Sequence, residues 1–222
     1  MASVFAADHE REWARYEDGA RRLPGISDPD ERQRQLTRMG NAAAGAGLAL
    51  LMDGRRGEAA EWLGRAAGRY RESFPEAPPG SWGRPIGALK ARVLADDWVA
   101  ATADARWTLA AGAAGSDSPI GRYAACLALL VLGDDDAARS LAASLDGRDD
   151  FPPDVARSLL AIAGVDRPGY EAAVADVLRS FETREEYLED VAVADTVIVL
   201  QALAAGRGLA ADLDSPLLPP PA

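Results

Sequence analysis

The chain has 222 residues, 48% apolar and 27% charged, which is enough to bury a sizeable core as one large domain or two small ones. Its 35 acids against 24 bases leave a net charge of −11, which disfavours nucleic acid and an anionic membrane surface, because both select cationic faces. Cys126 is the only cysteine, so an intrachain disulfide and any C-x-x-C redox or zinc motif are excluded.

The N-terminus turns charged within its first ten residues, and no apolar run reaches the ~18–20 residues of a membrane span. A cytoplasmic protein is expected. Helical periodicity runs throughout and no alternating strand of useful length occurs, so the fold class is all-α, with about ten helices. A single domain over 1–222 is expected. It divides into an N-terminal helix pair (1–52), helical-hairpin repeats (53–182), a buried C-terminal helix (183–213) and a proline-rich tail (214–222).

In chain order, the first helix, 6–23, carries Trp13, Tyr16 and Ala20 as an apolar stripe. His9, the only histidine, lies on it among charged neighbours and reads as exposed and inert. A lone histidine also removes His-based triads and His-pair metal sites. The second helix, 29–52, is opened by "SDPDE", with Asp28 as N-cap, Pro29 in first position and Glu31 three residues after the cap. Trp62, Ala66 and Tyr70 form the core stripe of the next helix. "FPEAPPGSWGRP", Phe74 to Pro85, is the one long interruption and the loop expected to carry function. Within it Trp82 and Arg84 are residue types that anchor interfaces and are candidates for partner contact, Trp82 being equally suited to plug the end of the core.

Trp98 falls near a helix start and is placed over a hairpin seam. "SDSPIGRY" and "DDFPPDVARSLL" repeat the proline-opened start, the second leading a helix that ends at Gly164. Cys126, in the apolar "RYAACLALLVL", reads as a small buried hydrophobe. Three consecutive aspartates, Asp134 to Asp136, follow Gly133. Adjacent first-turn carboxylates point in different directions and lack the spaced oxygens of a cation loop, so they read as helix-capping residues. Asp96-Asp97 in "LADDW" is in the equivalent place.

Ala-Ala pairs begin at Ala59, Ala100, Ala137 and Ala172, each shortly after a turn with a polar or acidic helix start. The intervals match one helix hairpin in repeat proteins of ~34–47 residues. "GRRGEAAEWLGRAAGRY", Gly54 to Tyr70, and more loosely "LGDDDAARSLAASL", resemble the turn and second helix of a tetratricopeptide (TPR) unit. The resemblance covers roughly residues 40 to 181 and implies a divergent TPR-like array of antiparallel hairpins, an α-α superhelix with a concave face for a partner. The family's aromatic and proline positions are missing from the later units.

The C-terminal quarter is similar to the end of the all-helical immunity proteins of bacterial polymorphic-toxin systems. The matching residues are Phe181-Glu182, Arg184, Asp195, Ala202-Leu203-Ala204, Arg207-Gly208-Leu209 and Ser215–Pro219. That resemblance implies a protein that neutralises a toxin by binding it.

An acidic cluster, Glu182, Glu185, Glu186, Glu189 and Asp190, with Glu185 and Glu189 four apart on one helix face, reads first as a solvated face and otherwise as the site where a basic partner or a cation would dock. Asp195, inside an otherwise apolar helix spanning 191–205, needs a counter-charge, and Arg207 or Arg184 is the expected partner in a buried ion pair. The leading function is therefore a non-catalytic protein-binding module, without cofactor or metal, whose partner is a basic protein; a homodimer is compatible with the sequence. The alternative is a carboxylate-based metal or small-molecule binding enzyme, using Asp195 or the Glu185/Glu189 face in a helical groove.

Overall fold

A computed structural model describes residues 3–220. Among the described residues there are ten α-helices, three short 3-10 turns and no strand. The helices are α1 (Val4–Arg22), α2 (Pro29–Met52), α3 (Arg56–Ser73), α4 (Gly83–Leu94), α5 (Trp98–Ala110), α6 (Pro119–Leu132), α7 (Asp135–Ala143), α8 (Pro153–Gly164), α9 (Arg167–Glu182) and α10 (Asp195–Ala205). The all-α class expected from periodicity is thus observed, and among the described residues no helix is long and apolar enough to cross a membrane.

The chain forms two compact units. One runs from the N-terminus to Asp97 and includes Arg184–Val193 and the segment from Pro216 onward; the other comprises Trp98–Thr183 and Ala194–Ser215. In the first unit α2 is central, packed against α1, α3 and the 3-10 turn Leu188–Asp190, while α3 also packs on α4. From Leu36 to Leu51 most of α2 is buried, which explains its small residues. A Cβ on Gly40 would come within 2.9 Å of the Tyr70 ring, and one on Gly47 within 2.7 Å of Leu63. Absent side chains let the neighbouring helix close in on an all-round apolar helix.

In the second unit α6 packs on α5 and α7, α7 on α8, α8 on α9, and α10 lies on α8 and α9. Its core is built on Leu127, Leu130, Leu145, Leu159, Ile162, Tyr170 and Leu200, each essentially inaccessible.

Four of the turns between helices share one geometry. Gly54, Asp96, Gly133 and Val165 each hold a left-handed backbone, with φ of 73°, 55°, 76° and 55°. The next N–H donates back five residues: Arg55 to Leu50 O, Asp97 to Arg92 O, Asp134 to Leu129 O and Asp166 to Ala161 O, at 2.9–3.0 Å. This is the Schellman arrangement, which satisfies carbonyls left over at a helix C-terminus. The same residue then starts the next helix, and Asp134 and Asp166 accept from Ala137 N and Gly169 N. The three aspartates at 134–136 do serve as helix start, as expected.

Five residues beyond each left-handed position sit Ala59, Ala101, Ala138 and Tyr170, all fully buried. The Ala pair at Ala172 is therefore out of register with the other three, and Tyr170 takes its place. The intervals between equivalent turns are 42, 37 and 32 residues.

Several expectations need correction. Trp13 does not join Tyr16 in the core but is 48% exposed; the buried face of α1 is Glu12, Tyr16 and Gly19. His9 is not a surface residue among charges: its ring meets Trp62 edge-on at 5.9 Å, and its buried Nδ1 finds no hydrogen-bond partner among the described residues. The last helix begins at Asp195, not at 191, because residues 191–194 run non-helically and bury Val191, Val193 and Ala194.

Candidate functional site

Glu12 is the most deeply buried acid of the first unit, with no exposed surface. Its carboxylate accepts from Arg11 Nε at 2.8 Å and from Arg15 Nη1 at 2.8 Å, so the charge is neutralised where water is excluded. Arg15 also pairs with Glu189, and Arg11 Nη2 donates to the Glu189 carbonyl at 2.8 Å. A Cβ on Gly45 of α2 would stand 3.0 Å from Glu12 Cγ and 3.1 Å from Glu189 Cβ. Two arginines of one helix thus clamp segment 184–193 onto α2.

This clamp decides the fate of the acidic cluster. α9 stops at Glu182, where the Thr183 hydroxyl donates back to the carbonyls of Arg179 and Ser180. Residues 183–187 are irregular, and Glu189 and Asp190 have φ of 53° and 56°. Glu185 and Glu189 therefore do not share a helix face. Glu185 and Glu186 are exposed, Glu182 accepts from the Ser215 hydroxyl at 2.8 Å, and Glu189 is engaged by Arg15.

Arg84 lies on the first turn of α4 and is partly buried. Nε donates to Thr37 Oγ1 at 3.2 Å and to Ser73 Oγ at 3.1 Å, and Nη2 donates to Gln33 Oε1. All three partners are neutral, and burial holds the guanidinium pKa below its ordinary value. Arg84 thereby fastens α4 to α2 and α3. Trp82, half-buried at the N-cap of α4, tilts against Phe74 with ring centroids 6.1 Å apart. The loop residues expected to await a partner both have intramolecular contacts.

Arg207 pairs with Asp135 rather than Asp195. Its Nη2 and Nε donate to Asp135 Oδ1 at 2.5 and 3.1 Å, Nη1 to Leu203 O and Nη2 to Leu130 O at 2.9 Å each. Asp195 instead opens α10, where Thr196 Oγ1 donates to it at 3.3 Å. After burial itself, its charge is the next cause holding the Tyr123 hydroxyl pKa above the ordinary value. The middle aspartate of the triplet is therefore an ion-pair partner as well as a first-turn acid.

Beside this pair the second unit opens a cleft of about 380 Å³, with Trp98, Leu130, Leu132, Asp135, Ala202 and Arg207 among its walls. No family model, curated protein or solved structure matches the chain.

Among the described residues, no three His, Cys, Asp or Glu side chains stand close enough to hold a metal ion. The Cys126 thiol is buried, 3.5 Å from the Ala138 carbonyl, and burial pushes its pKa up to about 12, far from an activated thiolate. The features that sequence reasoning missed are Glu12, the Asp135–Arg207 pair and the cleft beside it. Glu12 had a local signal: it stands four and seven residues before Tyr16 and Gly19, on the face that packs, with arginines at 11 and 15 to neutralise it.

Proposed function

We propose that this chain is a non-catalytic protein-binding module, a divergent TPR-like array of helix hairpins that binds a basic partner protein. The observation that carries the reading is the recurrent left-handed turn at Gly54, Asp96, Gly133 and Val165, each joined directly to a helix whose fourth residue is buried. Repeated hairpins of this kind display side chains for a partner without a chemical centre. The net charge of −11 supports a partner of opposite sign. The C-terminal resemblance adds a specific form, the neutralisation of a toxin by an immunity-type protein.

Affinity capture with the tagged full chain from its native host tests the proposal. One stoichiometric basic protein is expected, its affinity falling several-fold as salt is raised from about 50 to about 500 mM, because the contact is between opposite charges. Capture of acidic partners alone, or thermal stabilisation by a divalent metal in place of a protein partner, would refute it.

A further inference from the structure

Resting on that reading, we propose that the cleft beside Trp98 seats one lysine or arginine side chain of the partner. The argument begins with the asymmetry of the ion pair in its wall. The Arg207 side chain is 13% exposed and that of Asp135 31%, so the acid faces outward and the base inward. Arg207 spends four of its five N–H donors on Asp135 and on the carbonyls of Leu130 and Leu203. Its charge is already met by Asp135, which leaves little attraction for an incoming anion. Asp135 Oδ2, by contrast, receives a single 3.2 Å bond from Arg207 Nε, and a carboxylate oxygen can accept more. The cleft therefore presents an acceptor, fixed in position by a partly buried guanidinium.

The remaining walls suit the stem of a long cationic side chain. Trp98 is 37% exposed, and Leu130, Leu132 and Ala202 complete an apolar lining. A lysine or arginine lays its methylene groups along such a surface and keeps its charge at the tip. The indole face adds an attraction for that cation. Asp134 and Asp136, which flank Asp135 in the chain, are both exposed and leave an anionic group no welcome here. A purely apolar occupant would strip water from Asp135 without replacing its hydrogen bonds. Charge complementarity thus selects a basic side chain.

The test uses the full chain and a fluorescein-labelled peptide of alternating arginine and leucine, with glutamate replacing arginine in the control, read by fluorescence anisotropy. The arginine peptide is expected to bind and the glutamate peptide to fail. Trp98→Ala should weaken binding about ten-fold, since it removes both the apolar wall and the cation–π contact. Ala202→Trp, which fills the cleft while leaving Trp98 and Asp135 in place, should weaken it at least as much, and circular dichroism verifies that each variant is folded. Equal affinity for wild type and both folded variants, or no binding of the arginine peptide below about 1 mM, would overturn the cleft assignment. The binding-module reading fails separately: a basic host protein captured with an affinity that neither substitution changes would leave that reading standing and remove only the cleft.

Discussion

Glu12 and Val165 each break a sequence rule, and each does so for an identifiable reason. An acid on the core face of α1 is tolerated because Arg11 and Arg15 reach it from the same helix and Glu189 draws Arg15 across it. Glu12→Ala should destabilise the protein by about 2 kcal/mol in urea denaturation, less than the 3–5 kcal/mol typical of a broken buried pair, because both arginines remain half-exposed. Glu12→Gln, which keeps the shape and some of the hydrogen bonds, should cost less; an unchanged midpoint for both would show that the clamp contributes nothing. Val165 holds a left-handed backbone on an exposed β-branched residue. Val165→Gly should therefore raise stability by about 1 kcal/mol, the steric cost of that conformation for an L-residue, offset in part by the freedom glycine has when unfolded.

At the level of elements, the recurrent turn is where local information is densest. Each one combines a left-handed residue, a five-residue backward hydrogen bond and an immediate helix start, and in three of the four the residue that starts the helix is aspartate: Asp97, Asp134 and Asp166. Removing one cap, Asp134→Ala, should cost about 1 kcal/mol in thermal or chemical denaturation. The same change at Asp136, exposed and outside the cap, should cost only a few tenths; equal losses at both positions would contradict the capping role. The Ala-pair repeat was readable because a buried position five residues past the turn must be small wherever the helices close in. It comes two to three residues late in the fourth unit because Tyr170 takes the buried position there, its hydroxyl donating to Gln201 Oε1 at 2.8 Å. Composition alone does not distinguish an alanine that fills a seam from one that faces solvent.

The whole molecule carries a pH dependence that its core dictates. Burial raises the pKa of the Cys126 thiol from 9.0 to about 12 and pushes the Tyr123 and Tyr170 hydroxyls above their ordinary value of 10.0. Below about pH 9 these groups hold their protons in both folded and unfolded chains and contribute no pH dependence. As the pH rises further, the unfolded chain releases protons that the folded chain retains. Stability should then fall by up to about 1.4 kcal/mol per pH unit for each group so affected. Urea denaturation at pH 7 and at pH 10.5 measures this, and a thiol reagent should label Cys126 only on unfolding. A flat profile across that range, or rapid labelling of the native protein, would contradict the burial of these groups.

Helix class, most helix starts and the capping role of Asp134 were legible from the chain because each depends on residues within about five positions of one another, where backbone geometry leaves few choices. The partners of charged residues were not. Arg207 reaches Asp135 across 72 positions and Glu189 joins Arg15 across 174, so these pairings follow from which helices pack together, and spacing along the chain carries no record of them. For the same reason Glu185 and Glu189, which read as neighbours on one helix face, were separated once the Arg15 clamp and the stop at Thr183 shaped the segment between α9 and α10. Local hydrogen bonding sets the elements; long-range packing, by excluding water from particular charges, sets their partners and leaves Asp135 facing an open cleft.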